Sequence, residues 1–178
     1  MVSEDELFKK ARYIKLFIID VDGVLTNGGI ILDNDGNEFK SFHVRDGHGI
    51  KMLIRAGIKV AIITGRHSKV VERRAQELGI TEVFQRCYDK REAYKQLTEK
   101  YSFTDSEIAY IGDDIVDIPI LKRAGFSIAV SDADEEAKAV VMMVTKKGGG
   151  KGAVREICEF ILKAKGLWQD IIDGYSKT

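Results

Sequence analysis

The 178-residue chain is poor in cysteine and proline, and it has no excess of charge of either sign. It contains one proline and two cysteines, Cys87 and Cys158, which are too far apart to form a redox or metal-binding motif. We therefore expect two reduced thiols. Lys plus Arg number 28 and Asp plus Glu number 28. This balance argues against nucleic acid or an anionic membrane as a partner, because such partners usually require a basic surplus.

Long apolar runs are also missing. No run approaches the roughly 20 residues that span a bilayer, and the charged residues 1–12 lack the apolar core of a signal peptide. We expect a cytoplasmic protein without a membrane partner. The length is typical of one domain, so we predict a single domain over residues 1–178.

Short apolar segments alternate with helical patterns along most of the chain. The predicted strands are residues 14–19, 58–63, 82–85, 108–111, 126–130 and 140–144. The predicted helices are residues 49–56, 68–78, 89–101, 117–124, 134–139 and 153–165. Because the strands are apolar almost throughout and alternate with helices, the pattern predicts an α/β fold with a parallel sheet covered on both faces.

Residues 28–43 break this alternation. Two strand-like segments, 28–33 and 38–43, flank the turn sequence Asn34-Asp35-Gly36-Asn37, which is typical of a β-hairpin. The hairpin is too apolar to be exposed on both faces, since it carries Ile30, Leu32, Phe42 and Val44. We predict that it pairs with copies of itself in a closed assembly.

Polar residues follow four of the predicted strands. They form the segments Asp20-Val21-Asp22-Gly23, Thr64-Gly65-Arg66, Asp89-Lys90 and Gly112-Asp113-Asp114, the last followed by Asp117. Ligands of open parallel sheets bind beyond the carboxyl ends of the strands. Each segment alone is common in turns or helix caps, but together they predict one site at one edge of the sheet.

These residue types suit phosphoryl transfer. Asp20 could attack phosphorus as a nucleophile, and Asp22 could protonate the leaving oxygen and then activate water. Clustered carboxylates favour Mg²⁺, with Asp20, Asp113 and the main-chain carbonyl of Asp22 as predicted ligands. Thr64 and Lys90 would stabilise the phosphoryl oxygens.

The segments between these motifs are too short for a cap domain. They hold only a hairpin and one helix in one case, and one helix in the other. An open site leaves two explanations: the substrate is a macromolecule, or another subunit closes the site. A module that keeps the fold but binds a partner without catalysis is a third hypothesis, which the complete acidic set disfavours.

The four motifs, in this order and spacing, resemble those of the haloacid dehalogenase superfamily. Within it the chain is most similar to the 3-deoxy-D-manno-octulosonate 8-phosphate phosphatase family, through residues 42–49, 64–66 and 149–156. The resemblance implies a Rossmann-like doubly wound fold without a cap, Mg²⁺, a homotetramer and a role in lipopolysaccharide biosynthesis. It also implies that Asp20 is the nucleophile, Asp22 the acid–base and Asp113 a metal ligand.

The same resemblance bears on the substrate. Phosphatases of nine-carbon keto-sugar phosphates tend to carry Glu where Arg66 stands, so Arg66 favours the eight-carbon sugar, although His67 stands where the family leads us to expect Lys. Arg and Lys suit a carboxylate or phosphate. The predicted substrate-binding residues are Thr26, Arg45, Gly65, Arg66, Lys151 and Arg155, with Asp114 and Asp117 in supporting roles.

The C-terminal segment, residues 146–178, is the predicted lid. Residues 148–150 are all glycine, which predicts a flexible hinge. Lys151 and Arg155 are four residues apart and would lie on one helix face. We expect this segment to enter the site of a neighbouring subunit.

Overall fold

The computed structural model describes residues 2–176, and its main sheet has six parallel strands. The strands of this sheet are β1 (Leu16–Ile19), β4 (Lys59–Ile63), β5 (Glu82–Phe84), β6 (Ile108–Gly112), β7 (Phe126–Ala129) and β8 (Met143–Val144). Their spatial order is β5-β4-β1-β6-β7-β8. The predicted parallel α/β fold is confirmed.

Eight α-helices accompany the sheet within residues 2–176. They are α1 (Glu4–Arg12), α2 (Val44–Arg55), α3 (Lys69–Leu78), α4 (Lys90–Tyr101), α5 (Ile118–Leu121), α6 (Glu135–Ala139), α7 (Ala153–Ala164) and α8 (Trp168–Ser176). The sequence prediction omitted α1 and α8 and placed the start of α2 five residues late, at residue 49 instead of 44. No helix in this part of the chain is long and apolar enough to cross a bilayer.

The central strand β1 is buried on both faces, which explains its unbroken apolar sequence. Phe17 and Ile19 pack into one core, which contains residues of α2 and α7. Leu16 and Ile18 pack into a second core with residues of α4. Successive side chains of a strand point to opposite faces, so two helical layers require apolar residues at every position.

Strand order reverses beside β1. The chain runs outward from β1 through β4 to β5, and it then returns to form β6, β7 and β8 on the other side. Such a switch point leaves a crevice at the carboxyl ends of the strands on either side of the reversal. The fold therefore places the crevice at the end of β1, where Asp20 follows Ile19.

The hairpin is present but shorter than predicted. Strand β2 (Ile31–Leu32) pairs antiparallel with β3 (Glu38–Phe39). Phe42 packs against the core of its own chain and is not part of the exposed apolar surface, contrary to the prediction. The exposed apolar residues of this region are Ile30, Ile31, Leu32, Phe39 and Val44.

The predicted flexible hinge at residues 148–150 is wrong. Gly148 and Gly149 are buried, and the Gly149 N–H donates to Asp132 Oδ1 at 2.8 Å. The Gly150 N–H donates to the Val24 carbonyl at 2.9 Å. A Cβ on Gly149 would lie 1.7 Å from the Gly23 carbonyl oxygen. Glycine is needed here for close packing against the loop that follows β1, and not for mobility.

Gly149→Ala should therefore displace the loop that carries Asp20 and Asp22. We expect a loss of about 2 kcal/mol in the free energy of unfolding and at least about a tenfold loss of kcat. The matched control is Gly174→Ala in α8, where a Cβ meets no atom within 4 Å. Chemical denaturation and initial rates should separate the two variants, and equal behaviour would contradict this account.

Candidate active site

The loop after β1 turns sharply enough to bring two aspartates to the crevice. Asp20 continues the sheet, since its N–H donates to the Ile111 carbonyl at 3.1 Å. Gly23 has a φ of +92°, which favours glycine. The Thr26 hydroxyl donates to the Val21 carbonyl at 3.3 Å, and Thr26 is only 2% exposed. A buried Thr26 with this hydrogen bond stabilises the loop, and its predicted contact with the substrate stays a prediction.

A buried lysine joins three elements at the base of the crevice. Lys90 Nζ, from the first turn of α4, lies 2.6 Å from Asp20 Oδ1 and 2.6 Å from Asp117 Oδ1. The Tyr110 hydroxyl donates to the same Asp117 oxygen at 2.5 Å. All four side chains are buried. The ion pairs raise the pKa of Lys90 against the opposing effect of burial, so the ammonium stays charged.

Asp117 also shapes the loop that presents Asp113. Its Oδ2 accepts the main-chain N–H groups of Asp113 at 3.0 Å and Asp114 at 3.2 Å. Asp114 caps the helical turn that follows, because its Oδ1 accepts the Ile115 N–H at 2.7 Å. Both aspartates thus shape the loop around Asp113, and the supporting roles that the sequence analysis predicts for them stay predictions.

The carboxylates of this cluster fit a divalent cation. One oxygen from each of Asp20, Asp113 and Asp117 lies within 4.8 Å of the others. Asp117 already binds Lys90, Tyr110 and two main-chain N–H groups, so Asp20 and Asp113 are the more available donors. Burial raises the pKa of Asp20 to about 7 despite Lys90, and burial together with Asp20 raises the pKa of Asp113 to about 8.

A cation between Asp20 and Asp113 would stabilise their ionised forms. The Asp113 carboxylate lies so close to the loop after β1 that a Cβ on Gly23 would fall 1.9 Å from its Oδ2. Glycine at position 23 therefore serves two purposes, the turn and the approach of Asp113. The predicted contribution of the Asp22 carbonyl to a metal site stays a prediction.

Thr64 lies at the carboxyl end of the neighbouring strand β4, where it is 2% exposed. Its N–H donates to the Phe84 carbonyl at 2.9 Å, and its carbonyl accepts the Cys87 N–H at 3.0 Å. Arg66 follows two residues later and its side chain is 42% exposed at the mouth of the crevice. Gly65 lies between them, and a Cβ on it would be 3.8 Å from the Cys87 carbonyl oxygen.

Two charged hairpin residues belong to the site although the sequence analysis did not single them out. Lys40 Nζ binds Asp22 Oδ1, and Glu38 Oε1 accepts from Arg66 Nη2 at 2.9 Å. Charged residues at i and i+2 of a strand-like segment share a face. These two charges on one face of an apolar hairpin are the sequence signal that could have identified both residues.

The comparisons with known proteins agree with this geometry. Residues 79–157 match the haloacid dehalogenase-like hydrolase family. The 3-deoxy-D-manno-octulosonate 8-phosphate phosphatase of Escherichia coli K12 is 46% identical over 165 residues, which cover 93% of this chain and 87% of the relative. The chain belongs to the haloacid dehalogenase superfamily. Within that superfamily it is a member of the phosphoric monoester hydrolases.

Solved structures of this family superpose closely. The Moraxella catarrhalis 3-deoxy-D-manno-octulosonate 8-phosphate phosphatase, in complex with a magnesium ion, a phosphate ion and a KDO molecule, has a TM-score of 0.95 and 46% identity. This match covers 97% of this chain and 99% of the other. The cobalt-bound Haemophilus influenzae enzyme has a TM-score of 0.89 and 45% identity, covering 94% and 99%.

The structure separates the two basic residues of the predicted lid. Helix α7 of this haloacid dehalogenase-like chain begins at Ala153, after Gly152 with a φ of +103°. Lys151 therefore precedes the helix, and the expectation that it shares a helix face with Arg155 is wrong. Lys151 is exposed, with Nζ 3.6 Å from Asp132 Oδ2.

Arg155 is instead held between α2 and α7 of its own chain. Its guanidinium contacts His48 Nδ1 at 3.1 Å and Glu159 Oε1 at 2.6 Å. The main-chain N–H of Arg155 donates to Asp46 Oδ1 at 2.7 Å. Arg45 is exposed in the first turn of α2. Of the two basic residues singled out in the predicted lid, Lys151 is thus more available to a ligand than Arg155.

Lys90→Met removes the ammonium at the base of the site and leaves Asp20 and Asp117 buried. We expect the free energy of unfolding, measured in EDTA at pH 8, to fall by about 3 kcal/mol. A buried carboxylate without its cation has a pKa raised further above its unfolded value. Such a group favours the folded state at low pH and loses that contribution as the pH rises through its folded pKa, so the deficit should be smaller at pH 5.5.

The control for this measurement is Lys95→Met on the same helix. Lys95 Nζ lies 3.8 Å from Glu99 in an exposed pair, for which we expect a change within about 0.5 kcal/mol. Equal losses in both variants, or a Lys90→Met deficit that does not shrink at low pH, would contradict the proposed burial of charge.

Proposed function

We propose that the chain is a Mg²⁺-dependent phosphomonoesterase that hydrolyses 3-deoxy-D-manno-octulosonate 8-phosphate. The observation that carries this proposal is the buried Asp20 carboxylate at the end of β1, held by Lys90 and faced by Asp113. The substrate is supported by the names of the relatives and by the ligands of the Moraxella catarrhalis structure. Cytoplasmic location, which the sequence predicts, stays part of this proposal.

The reaction proceeds in two steps on the protein's own residues. An Asp20 carboxylate oxygen attacks phosphorus, the bond to the sugar oxygen breaks, and Asp22 donates a proton to that oxygen. Asp22, now ionised, takes a proton from water. The water oxygen attacks the aspartyl phosphate, which releases inorganic phosphate and restores the Asp20 carboxylate.

Fixed charges assist both steps. Lys90 binds Asp20 Oδ1 and so fixes the orientation of the nucleophile. Asp20 and Asp113 would hold Mg²⁺, which when bound screens the negative phosphate from the negative nucleophile. The Thr64 hydroxyl, at the next strand end, would donate to a phosphoryl oxygen.

Arg66 supports an acidic sugar as the leaving group. Its guanidinium lies at the mouth of the site, 3.9 Å from Asp22 Oδ2 and 2.9 Å from Glu38 Oε1. An arginine in this position can bind a sugar carboxylate in a bidentate manner. The alternatives are a nine-carbon keto-sugar phosphate and a phosphorylated macromolecule.

A homotetramer would close the open site. Within residues 2–176, the chain between the loop after β1 and strand β4 forms only the hairpin and α2, and the hairpin exposes Leu32 at 59% and Phe39 at 53%. Burial of these side chains between subunits would remove apolar surface from water. In this assembly the exposed Lys151 of one subunit would enter the site of its neighbour.

Asp20→Asn tests the nucleophile. The amide keeps the shape but lacks the attacking charge, so we expect kcat/KM to fall by at least about 10³, equivalent to about 4 kcal/mol. EDTA should abolish wild-type phosphate release, and Mg²⁺ should restore it. The measurement is inorganic phosphate release from eight-carbon and nine-carbon keto-sugar phosphates, a simple hexose phosphate and a phosphopeptide.

Each outcome of this panel is informative. A preference for the eight-carbon substrate supports the proposal, whereas a preference for the nine-carbon sugar or the phosphopeptide replaces it with the corresponding alternative. An active Asp20→Asn enzyme would show that the mechanism is wrong, whatever the substrate.

Leu32→Asp tests the assembly. A charge in the apolar hairpin surface should reduce the mass measured by light scattering from that of a tetramer, and KM should rise because the neighbouring Lys151 is withdrawn. Tyr13→Asp is the control, since Tyr13 is 67% exposed at the end of α1. A wild-type monomer with full activity would exclude closure by a neighbour.

A further inference from the structure

The Asp22 carboxylate is held by residues far from it in sequence. Asp22 belongs to an irregular loop with φ −78° and ψ 114°, and its side chain is 24% exposed. In the part of the chain that the structure describes, its oxygens contact two cations: Lys40 Nζ binds Oδ1, and Arg66 Nε lies 3.9 Å from Oδ2. An acid–base group needs a fixed direction towards the oxygen that it protonates.

Lys40 is itself enclosed. Its side chain is 2% exposed although it follows an exposed hairpin. A second carboxylate, Glu38 Oε1, lies 3.3 Å from the ammonium. If this buried ammonium moved away from either carboxylate, it would lose a charged partner, so both contacts fix its position.

Glu38 connects this pair to the neighbouring strand end. Its Oε1 accepts from Arg66 Nη2 at 2.9 Å, and its Oε2 accepts from the Ser68 hydroxyl, which caps α3. The hairpin thus links the loop after β1 to the loop after β4. Asp22, Lys40 and Glu38 form a chain of charges that ends on a helix terminus.

We infer that Lys40 is a positioning residue for the acid–base Asp22, and that Glu38 keeps Lys40 in place. This inference rests on the proposed phosphatase function. Lys40 binds Oδ1, which leaves Oδ2 to exchange the proton with the leaving oxygen on the side of Arg66. Each aspartate of the catalytic loop then has its own lysine: Lys90 orients Asp20, and Lys40 orients Asp22.

The test compares leaving groups. Lys40→Met keeps the length of the side chain and removes the charge. The rate constant to compare is kcat/KM, because it reports only the steps up to release of the leaving group, whereas kcat also includes the hydrolysis of the aspartyl phosphate that both substrates share. With 3-deoxy-D-manno-octulosonate 8-phosphate, whose alkoxide leaving group needs an acid, we expect kcat/KM to fall by about 10²-fold. With p-nitrophenyl phosphate, whose leaving group needs little protonation, the fall should be below about threefold. Asp22→Asn should show the same selectivity with a larger loss, and Lys40→Arg should recover most of the activity.

The matched control is Lys100→Met. Lys100 Nζ also binds a mostly buried carboxylate, Glu82 Oε1 at 2.6 Å, but at the opposite end of α4 from Lys90. We expect it to leave both substrates unaffected. If Lys40→Met fails to fold, Glu38→Gln provides the same comparison, with a smaller but equally selective loss.

Three results would overturn the inference. An equal loss of kcat/KM on both substrates, without a rise of KM, would show that Lys40 has a general structural role. A rise of KM on both substrates with kcat preserved would make it a phosphate ligand. Full activity of Lys40→Met would remove it from the site. If the wild type does not hydrolyse the sugar phosphate, the proposed substrate fails, and the comparison is then made with another alkyl phosphate that the wild type does hydrolyse.

Discussion

The site depends on one buried ammonium, that of Lys90, shared by Asp20 and Asp117. Asp20 follows the central strand, Asp117 comes from the turn after β6, and Lys90 from the first turn of α4, which packs on one face of the sheet. Without the cation, two carboxylates would be buried together at a large cost in free energy. This contact therefore holds three elements of the fold in register. In the proposed mechanism it also orients the nucleophile, so that catalysis and folding would share one interaction.

A second set of charged residues joins separate elements of the fold at the mouth of the crevice. The hairpin brings Lys40 and Glu38 between Asp22 and Arg66. The carboxylates of this set are more exposed than those around Lys90, with Glu38 at 19% and Asp22 at 24%. The hairpin thus has two faces of different chemistry. Its charged residues contact Asp22 and Arg66 of its own chain, and its apolar residues are exposed, as the proposed assembly requires.

The sheet and the acidic residues could be predicted from the sequence, because both have local sequence patterns. Buried strands such as β1 are apolar at every position, Asp20 and Asp113 follow strands directly, and Lys90 begins the helix after β5. Helix α1 was missed because its apolar stripe is short: only Ala11 of its nine residues is buried, and Leu7 is partly buried against the core. Helix α2 was placed late because Asp46 and Gly47 suggest a loop. The first turns of α2 are helical because they pack against α7: the Asp46 carboxylate accepts the main-chain N–H of Arg155, and a Cβ on Gly49 would lie 3.1 Å from Cys158.

The glycine run shows why composition alone misjudged the C-terminal segment. Three glycines can form a hinge or allow two backbones to touch, and only the neighbours distinguish these cases. Here the neighbour is the loop after β1, with Gly149 and Gly150 packed on Gly23 and Thr26. The segment that carries Lys151 is consequently fixed to the same loop as Asp20 and Asp22. If Lys151 serves an adjacent subunit, its position there is set by how whole subunits dock, since the backbone before it cannot swing without moving the catalytic loop of its own chain.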